Sequence, residues 1–231
     1  MTKLIVALDE PTFERALDVL HKTGPAVAWY KVGYEAYYGY GDRIMGALRG
    51  AGKSIFLDLK LHDIPNTVAA GVRAAAKAGA RLLTVHAAGG AAMMRAAASA
   101  RDEMDTDMRV VAVTVLTSMS DAELHETGIE GSASHTVLQR ARLASGSGLD
   151  GVVCAVGEAA GIRHATDARF AIVCPGIRAA GSASDDQRRV ATAADAVRAG
   201  ADFIVVGRPI TQANDPASAA ERIVEEMKTA R

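Results

Sequence analysis

Short apolar runs recur along the chain at 4–8, 28–32, 55–59, 82–85, 110–116, 151–156, 170–173 and 203–206. Their length and β-branched content predict buried strands. Between them lie stretches with apolar positions at helical spacing, among them 13–20, 67–77, 91–100 and 219–227. Gly52, Gly79, Gly148 and Gly200 each stand shortly before a strand, where a helix must stop. Eight such units in 231 residues make about 29 residues each, the size of a βα unit in an eightfold barrel, slightly compact for that fold. The pattern predicts an α/β protein, a (β/α)8 TIM barrel in a single domain over residues 1–231. No linker or charge block divides it. The alternative is a doubly wound open sheet. That fold usually carries G-x-G-x-x-G after its first strand, and here the turn reads Asp9-Glu10-Pro11-Thr12.

Composition narrows the function. Hydrophobic residues are 49% and charged residues 23%, ordinary values for a globular chain. Lys plus Arg is 26 against 27 for Asp plus Glu, a net charge of -1. That balance argues against a general nucleic-acid or membrane-surface binder but leaves room for a local anion site. No apolar run reaches the roughly 18 residues of a membrane span. The apolar start is too brief for a signal peptide and lacks a cleavage site. Two cysteines, Cys154 and Cys174, make no disulfide framework. A reducing cytoplasm is the expected location.

The third strand carries the chemistry. It reads Ser54-Ile55-Phe56-Leu57-Asp58-Leu59-Lys60-Leu61, followed by His62-Asp63-Ile64-Pro65-Asn66-Thr67. Strand side chains alternate, so Leu57, Leu59 and Leu61 face the helices while Phe56, Asp58 and Lys60 face into the barrel. A buried carboxylate and ammonium are costly unless paired or used. Asp58 and Lys60 fall at the strand end, where barrel active sites sit, and Asp63 follows in the loop. Lys31 near the end of strand two and Asp9 after strand one reach the same rim. Asp9 has a second reading, as cap of the helix after Pro11. His86, at the end of strand four, reads more readily as a structural hydrogen-bonding group than as a catalyst.

The far side of the rim offers an anion site. Loops after strands seven and eight are the usual phosphate site of barrels. Here they read Cys174-Pro175-Gly176-Ile177-Arg178 and Val206-Gly207-Arg208-Pro209. Gly207 lets a backbone N–H approach an oxyanion, and Arg208 can bond phosphate bidentately. Arg178 either joins this grip or holds its loop. The stretches 128–136 and 178–189 are rich in small residues, and each reads as a lid or as an ordinary surface loop. The stretch from Ala179 to Asp186 is the expected lid over the phosphate. The six histidines lack ligand spacing. Asp58 and Asp63 could hold Mg²⁺, but the two lysines already neutralise them. No metal site is expected.

With these residues in view, the sequence resembles the orotidine 5'-phosphate decarboxylase family. Asp58-x-Lys60-x-x-Asp63 matches that family's D-x-K-x-x-D. Lys31-Val32-Gly33, His86-Ala87-Ala88-Gly89-Gly90, Leu116-Thr117-Ser118, Pro175-Gly176-Ile177-Arg178, Asp186-Gln187-Arg188 and Val206-Gly207-Arg208-Pro209 resemble its other blocks, in order. The resemblance implies a homodimeric barrel without cofactor that converts orotidine 5'-monophosphate to UMP and CO2, the last step of making UMP de novo. It implies that Lys60 protonates C6 of the pyrimidine, with Lys31, Asp58 and Asp63 completing the charged array and Asp63 reaching the partner's site. Asp9 and Lys31 are expected at the ribose, and Thr117 with Ser118 at the pyrimidine edge. Gln187, Gly207 and Arg208 are expected at the phosphate, with Arg178 nearby and Pro175 in the same substrate-binding set. Ile64 and Thr67 are expected to line the neighbour's pocket. Two other readings remain: a Mg²⁺-dependent sugar-phosphate decarboxylase or aldol lyase sharing D-x-K-x-x-D, and a non-catalytic nucleotide-binding barrel.

Overall fold

Strands β1 (Lys3–Ala7), β2 (Trp29–Val32), β3 (Ser54–Leu61), β4 (Leu82–His86), β5 (Arg109–Val113), β6 (Gly151–Val153), β7 (Ala171–Cys174) and β8 (Phe203–Val206) pair in chain order, and β8 returns to β1. Every pairing is parallel, so the sheet closes into a barrel. The open doubly wound sheet is thereby excluded. The structure, a computed structural model, describes residues 1–178 and 191–230. The expected lid from Ala179 to Asp186, and Gln187 after it, lie outside the described residues.

The helices that cover the barrel are α1 (Phe13–Thr23), α2 (Tyr34–Gly50), α3 (Pro65–Lys77), α4 (Gly90–Asp102), α5 (Asp121–Glu126), α6 (Ala133–Gly146), α7 (Val156–Ala165), α8 (Ala193–Arg198), α9 (Arg208–Thr211) and α10 (Pro216–Thr229). Side-chain caps start several of them: Thr12 accepts from Arg15 N, and Ser120 and Thr192 form capping boxes with Glu123 and Asp195. Gly52, Gly79, Gly148 and Gly200 all have positive φ, between 66° and 87°, as helix-ending turns require.

Alternation along the strands separates two cores. Leu57, Leu83, Val110, Ala112 and Ile172 face outward into the layer packed under the helices. Ile5, Phe56, Leu82, Val111, Val113, Val153, Val173, Phe203 and Val205 fill the barrel. Trp29 meets Phe203 edge-on at 5.2 Å, with the Lys3 ammonium over both rings, at the end where the strands begin. The apolar filling gives way to charge only in the last inward layer, which sets the site at the strands' C-terminal ends.

Two strands are shorter than their apolar runs. The run 110–116 ends as strand at Val113, because the Thr114 N–H and hydroxyl both turn to Val153 O, at 3.2 and 2.8 Å. The run 151–156 ends as strand at Val153, because Val156 already opens α7 and is buried beneath it. Both tails are apolar for reasons other than sheet pairing: Val115 and Leu116 line the cavity described next.

Candidate active site

A cavity of about 620 Å³ opens at the C-terminal mouth of the barrel, a size typical of small-molecule sites. On one side of it stand Asp9, Lys31, Asp58 and Lys60, and on the other Pro175, Gly176, Arg178, Gly207 and Arg208. Thr117, which is buried, and Ser118, which is exposed, line the rim between them.

The charged side is a chain of contacts. Lys31 Nζ donates to both oxygens of Asp9, at 2.8 and 3.0 Å, and lies 3.9 Å from Asp58 Oδ2. Asp58 Oδ1 accepts from Lys60 Nζ at 3.0 Å and from the Thr84 hydroxyl at 3.0 Å. Lys31 and Asp58 are mostly buried, while Asp9 is half exposed. An alternating row of this kind keeps each cation beside an anion and each ionised group oriented. Asp9 therefore serves the row, and the helix cap falls to Thr12.

Backbone geometry places these side chains. The ladder between β3 and β4 pairs Leu57 with Leu83 and resumes only at Leu61 with Val85. Within that irregular stretch Lys60 has φ 44°, in the left-handed region that lysine rarely adopts. The loop bearing Asp9 is held by Tyr40, whose hydroxyl donates to Glu10 O at 2.6 Å. Burial, with Glu35, Glu10 and Asp9 nearby, pushes the Tyr40 phenol up to about 12, so it remains a donor. A kink inside α2 at Tyr40 accompanies this contact.

The chain is similar to known proteins over nearly its whole length. The family described as "Orotidine 5'-phosphate decarboxylase / HUMPS family" matches residues 2–223. The chain belongs to that family. It is 49% identical over 229 residues to an orotidine 5'-phosphate decarboxylase of Methylobacterium sp. (strain 4-46), covering 99% of this chain and 96% of the relative. It is 49% identical over 221 residues to one of Anaeromyxobacter sp. (strain K), covering 96% of each. Among solved structures, orotidine 5'-phosphate decarboxylase from Lactobacillus acidophilus is 38% identical, with TM-score 0.86 over 98% of this chain and 99% of that one. An uncharacterized conserved protein from Geobacillus kaustophilus is 40% identical, with TM-score 0.85 over 97% and 99%.

Within this family member, the cavity gathers ten of the expected site residues: Asp9, Lys31, Asp58, Lys60, Thr117, Ser118, Pro175, Arg178, Gly207 and Arg208. Asp63, Ile64 and Thr67 are exposed and stand outside the lining of their own chain's cavity. Asp63 Oδ1 accepts the Ile64 N–H at 2.6 Å. Arg178 holds its loop and also faces the cavity. It lines the cavity, its guanidinium donates to Ile177 O at 3.0 Å, and its N–H donates to Ala191 O at 3.0 Å.

His86 is a hydrogen-bonding group: Nδ1 accepts the Ala88 N–H at 3.2 Å, and the ring stacks on His62 at 5.3 Å. Burial, with His62, Arg140 and Lys60 nearby, pushes it down to about 4, so it is neutral near pH 7. Sequence reasoning missed Gly33, Glu10, Arg15, Thr211 and Gln212. The last four line the cavity. In Glu10 and Arg15, 3.4 Å apart, a loop carboxylate and a helix cation carried no periodic signal. Gly33 carried one only as part of a motif.

Proposed function

We propose that the protein removes CO2 from orotidine 5'-monophosphate to give UMP, completing UMP synthesis in the cytoplasm, as one domain without cofactor. The observation that carries this reading is the Lys60 ammonium, held 3.0 Å from Asp58 in an inward-facing row with Lys31 and Asp9. Loss of CO2 from C6 leaves a carbanion with no adjacent electron sink. A fixed ammonium beside C6 stabilises that charge as it develops and then donates its proton there. Asp58 stands near the departing carboxylate and keeps Lys60 oriented. Because the row is held by the protein's own side-chain contacts, little reorganisation is needed at the moment of reaction.

The remaining roles follow the cavity. Asp9 and Lys31 hold ribose hydroxyls, and Thr117 with Ser118 meets the pyrimidine edge. Gly207 and Arg208 grip the phosphate, with Arg178 and Pro175 beside them and Gln187 joining from outside the described residues. A phosphate far from the breaking bond lets binding energy there offset the ordering of the charged centre.

The proposal includes a homodimer in which Asp63 of each subunit serves the other's site, with Ile64 and Thr67 at its edge. Its support is a set of exposed large apolar side chains: Tyr38 is 79% exposed, Ile64 66% and Tyr34 46%, with the rings of Tyr34 and Tyr38 stacked. Exposed apolar side chains that form a patch mark surfaces for protein–protein contact.

The deciding experiment is an ultraviolet assay of orotidine 5'-monophosphate, following loss of the orotate chromophore with and without EDTA. Turnover that survives EDTA supports the reading. Turnover abolished by EDTA and restored by Mg²⁺ would replace it with a metal-dependent lyase. Binding without turnover would replace it with a nucleotide-binding barrel.

A further inference from the structure

The peptide group between Leu59 and Lys60 is gripped at both ends by side-chain hydroxyls. Its carbonyl oxygen accepts the Tyr34 O–H at 3.0 Å, and its N–H donates to Thr84 Oγ1 at 2.8 Å. The two hydroxyls come from different elements, Tyr34 at the first turn of α2 and Thr84 in the middle of β4. Thr84 is fully buried, and its own hydroxyl proton goes to Asp58 Oδ1 at 3.0 Å.

The ladder explains why hydroxyls are needed here. Between Leu57 and Leu61, β3 advances four residues while β4 advances two, from Leu83 to Val85. The Lys60 N–H falls in this irregular stretch and takes a side-chain acceptor in place of a strand carbonyl. Lys60 is also the only non-glycine with positive φ among the described residues. A lysine in that conformation persists only where its surroundings hold it.

We infer that Thr84 and Tyr34 are positioning residues that clamp the 59–60 peptide and thereby aim the Lys60 ammonium at the reacting carbon. The inference rests on the reading of Lys60 as proton donor. One atom, Thr84 Oγ1, sets both where the Lys60 side chain departs from the backbone and where the carboxylate that receives its ammonium lies. Tyr34 acts twice: its hydroxyl fixes the carbonyl, and its ring faces Lys60 Nζ at 5.4 Å. Burial, with Asp58 and Tyr38 nearby, raises the Tyr34 phenol, which keeps it a donor. Neither residue lines the cavity, so both act through Lys60 and Asp58.

The test uses Thr84→Val, which keeps the branched shape and removes both hydrogen bonds, Thr84→Ser, which restores a hydroxyl, and Tyr34→Phe, which keeps the ring. Thr84→Val is expected to lower kcat by about 10- to 100-fold, as small misplacements of a reacting group do, and Tyr34→Phe by about 3- to 10-fold. The affinity for UMP should stay within about twofold of wild type in both, and Thr84→Ser should recover kcat to within about threefold. Wild-type kcat in Thr84→Val overturns the clamp, as does loss of kcat and UMP affinity in equal proportion. If Thr84→Val fails to fold, Tyr34→Phe decides by the same two criteria. Lys60→Ala is measured alongside. An active Lys60→Ala defeats the proton-donor reading itself, whereas an inactive Lys60→Ala beside an unaffected Thr84→Val defeats only the clamp.

Discussion

A Cβ placed on Gly33 would lie 2.8 Å from Lys31 Nζ and 2.8 Å from Asp9 Oδ1. The glycine thus leaves the space in which that ion pair forms. Its φ of -96° is open to any residue, so the constraint is room and not backbone freedom. Gly33→Ala pushes the ends of two flexible side chains and leaves the core alone. It is expected to lower kcat/KM by about tenfold, roughly 1.4 kcal/mol of barrier, with little change in thermal midpoint. Steady-state kinetics and a melting curve on one preparation check both halves. Unchanged kinetics would show that the Asp9–Lys31 contact is dispensable.

Asp63 accepts the N–H of Ile64, the next residue in its chain, and is not among the residues that line its own chain's cavity. Subunits carrying Lys60→Ala and subunits carrying Asp63→Ala should each be inactive alone. After subunit exchange at equal amounts, half of the dimers are mixed, and one of their two sites has neither change. Activity of about a quarter of wild type is therefore expected. No recovery, once exchange has been verified by mass, would count against the shared site.

Arg208 lies across the cavity from Lys60, and both line it. If its role is the phosphate, Arg208→Ala should lower kcat/KM for the nucleotide by about 100-fold or more. For orotidine without phosphate it should cost less than about threefold. Equal losses on both substrates would remove Arg208 from the phosphate site.

His86 stays neutral down to about pH 4, against an ordinary value of 6.5. An unfolded chain binds that proton at higher pH than the folded one, so acid favours unfolding. The stability that neutral His86 contributes is complete above about pH 6.5 and is lost as pH falls through about 4. The loss is expected on the order of 1 to 2 kcal/mol, once screening at a partly exposed ring is discounted. His86→Gln should flatten this part of the curve. Urea midpoints at pH 7.5, 5.5 and 4.5 for both proteins test it. Parallel curves would assign the acid sensitivity to other groups.

Much of the barrel can be read from the chain because its constraints are periodic. Inward and outward faces of β3 follow from alternation, and Phe56 and Leu57 do lie in separate cores. Four glycines marked helix ends because the left-handed turn excludes most side chains. The row from Asp9 to Lys60 was legible because charge on an inward strand position is costly and demands a reason. Thr84 was not, because a threonine in a strand is ordinary, and only the slip between β3 and β4 makes its hydroxyl an acceptor for Lys60. Tyr34 was hidden similarly. On a helix surface it reads as one more aromatic, and the bond to Leu59 O depends on how α2 returns along β3. Gly151 shows the same limit in packing: a Cβ there would lie 2.2 Å from Ala171 O, a clash set by the neighbouring strand.

The ionic row occupies β1 to β3 and their ends, within residues 9–60, whereas the opposite rim comes from 175–212. The two sides of the mouth thus come from opposite quarters of the chain and meet over an apolar floor of Phe56, Val113, Val153 and Val205. If the roles are as proposed, a descendant that rewrites 175–212 keeps the ionic row and offers it to molecules with a different handle, and one that rewrites the first quarter keeps the handle and changes the reaction.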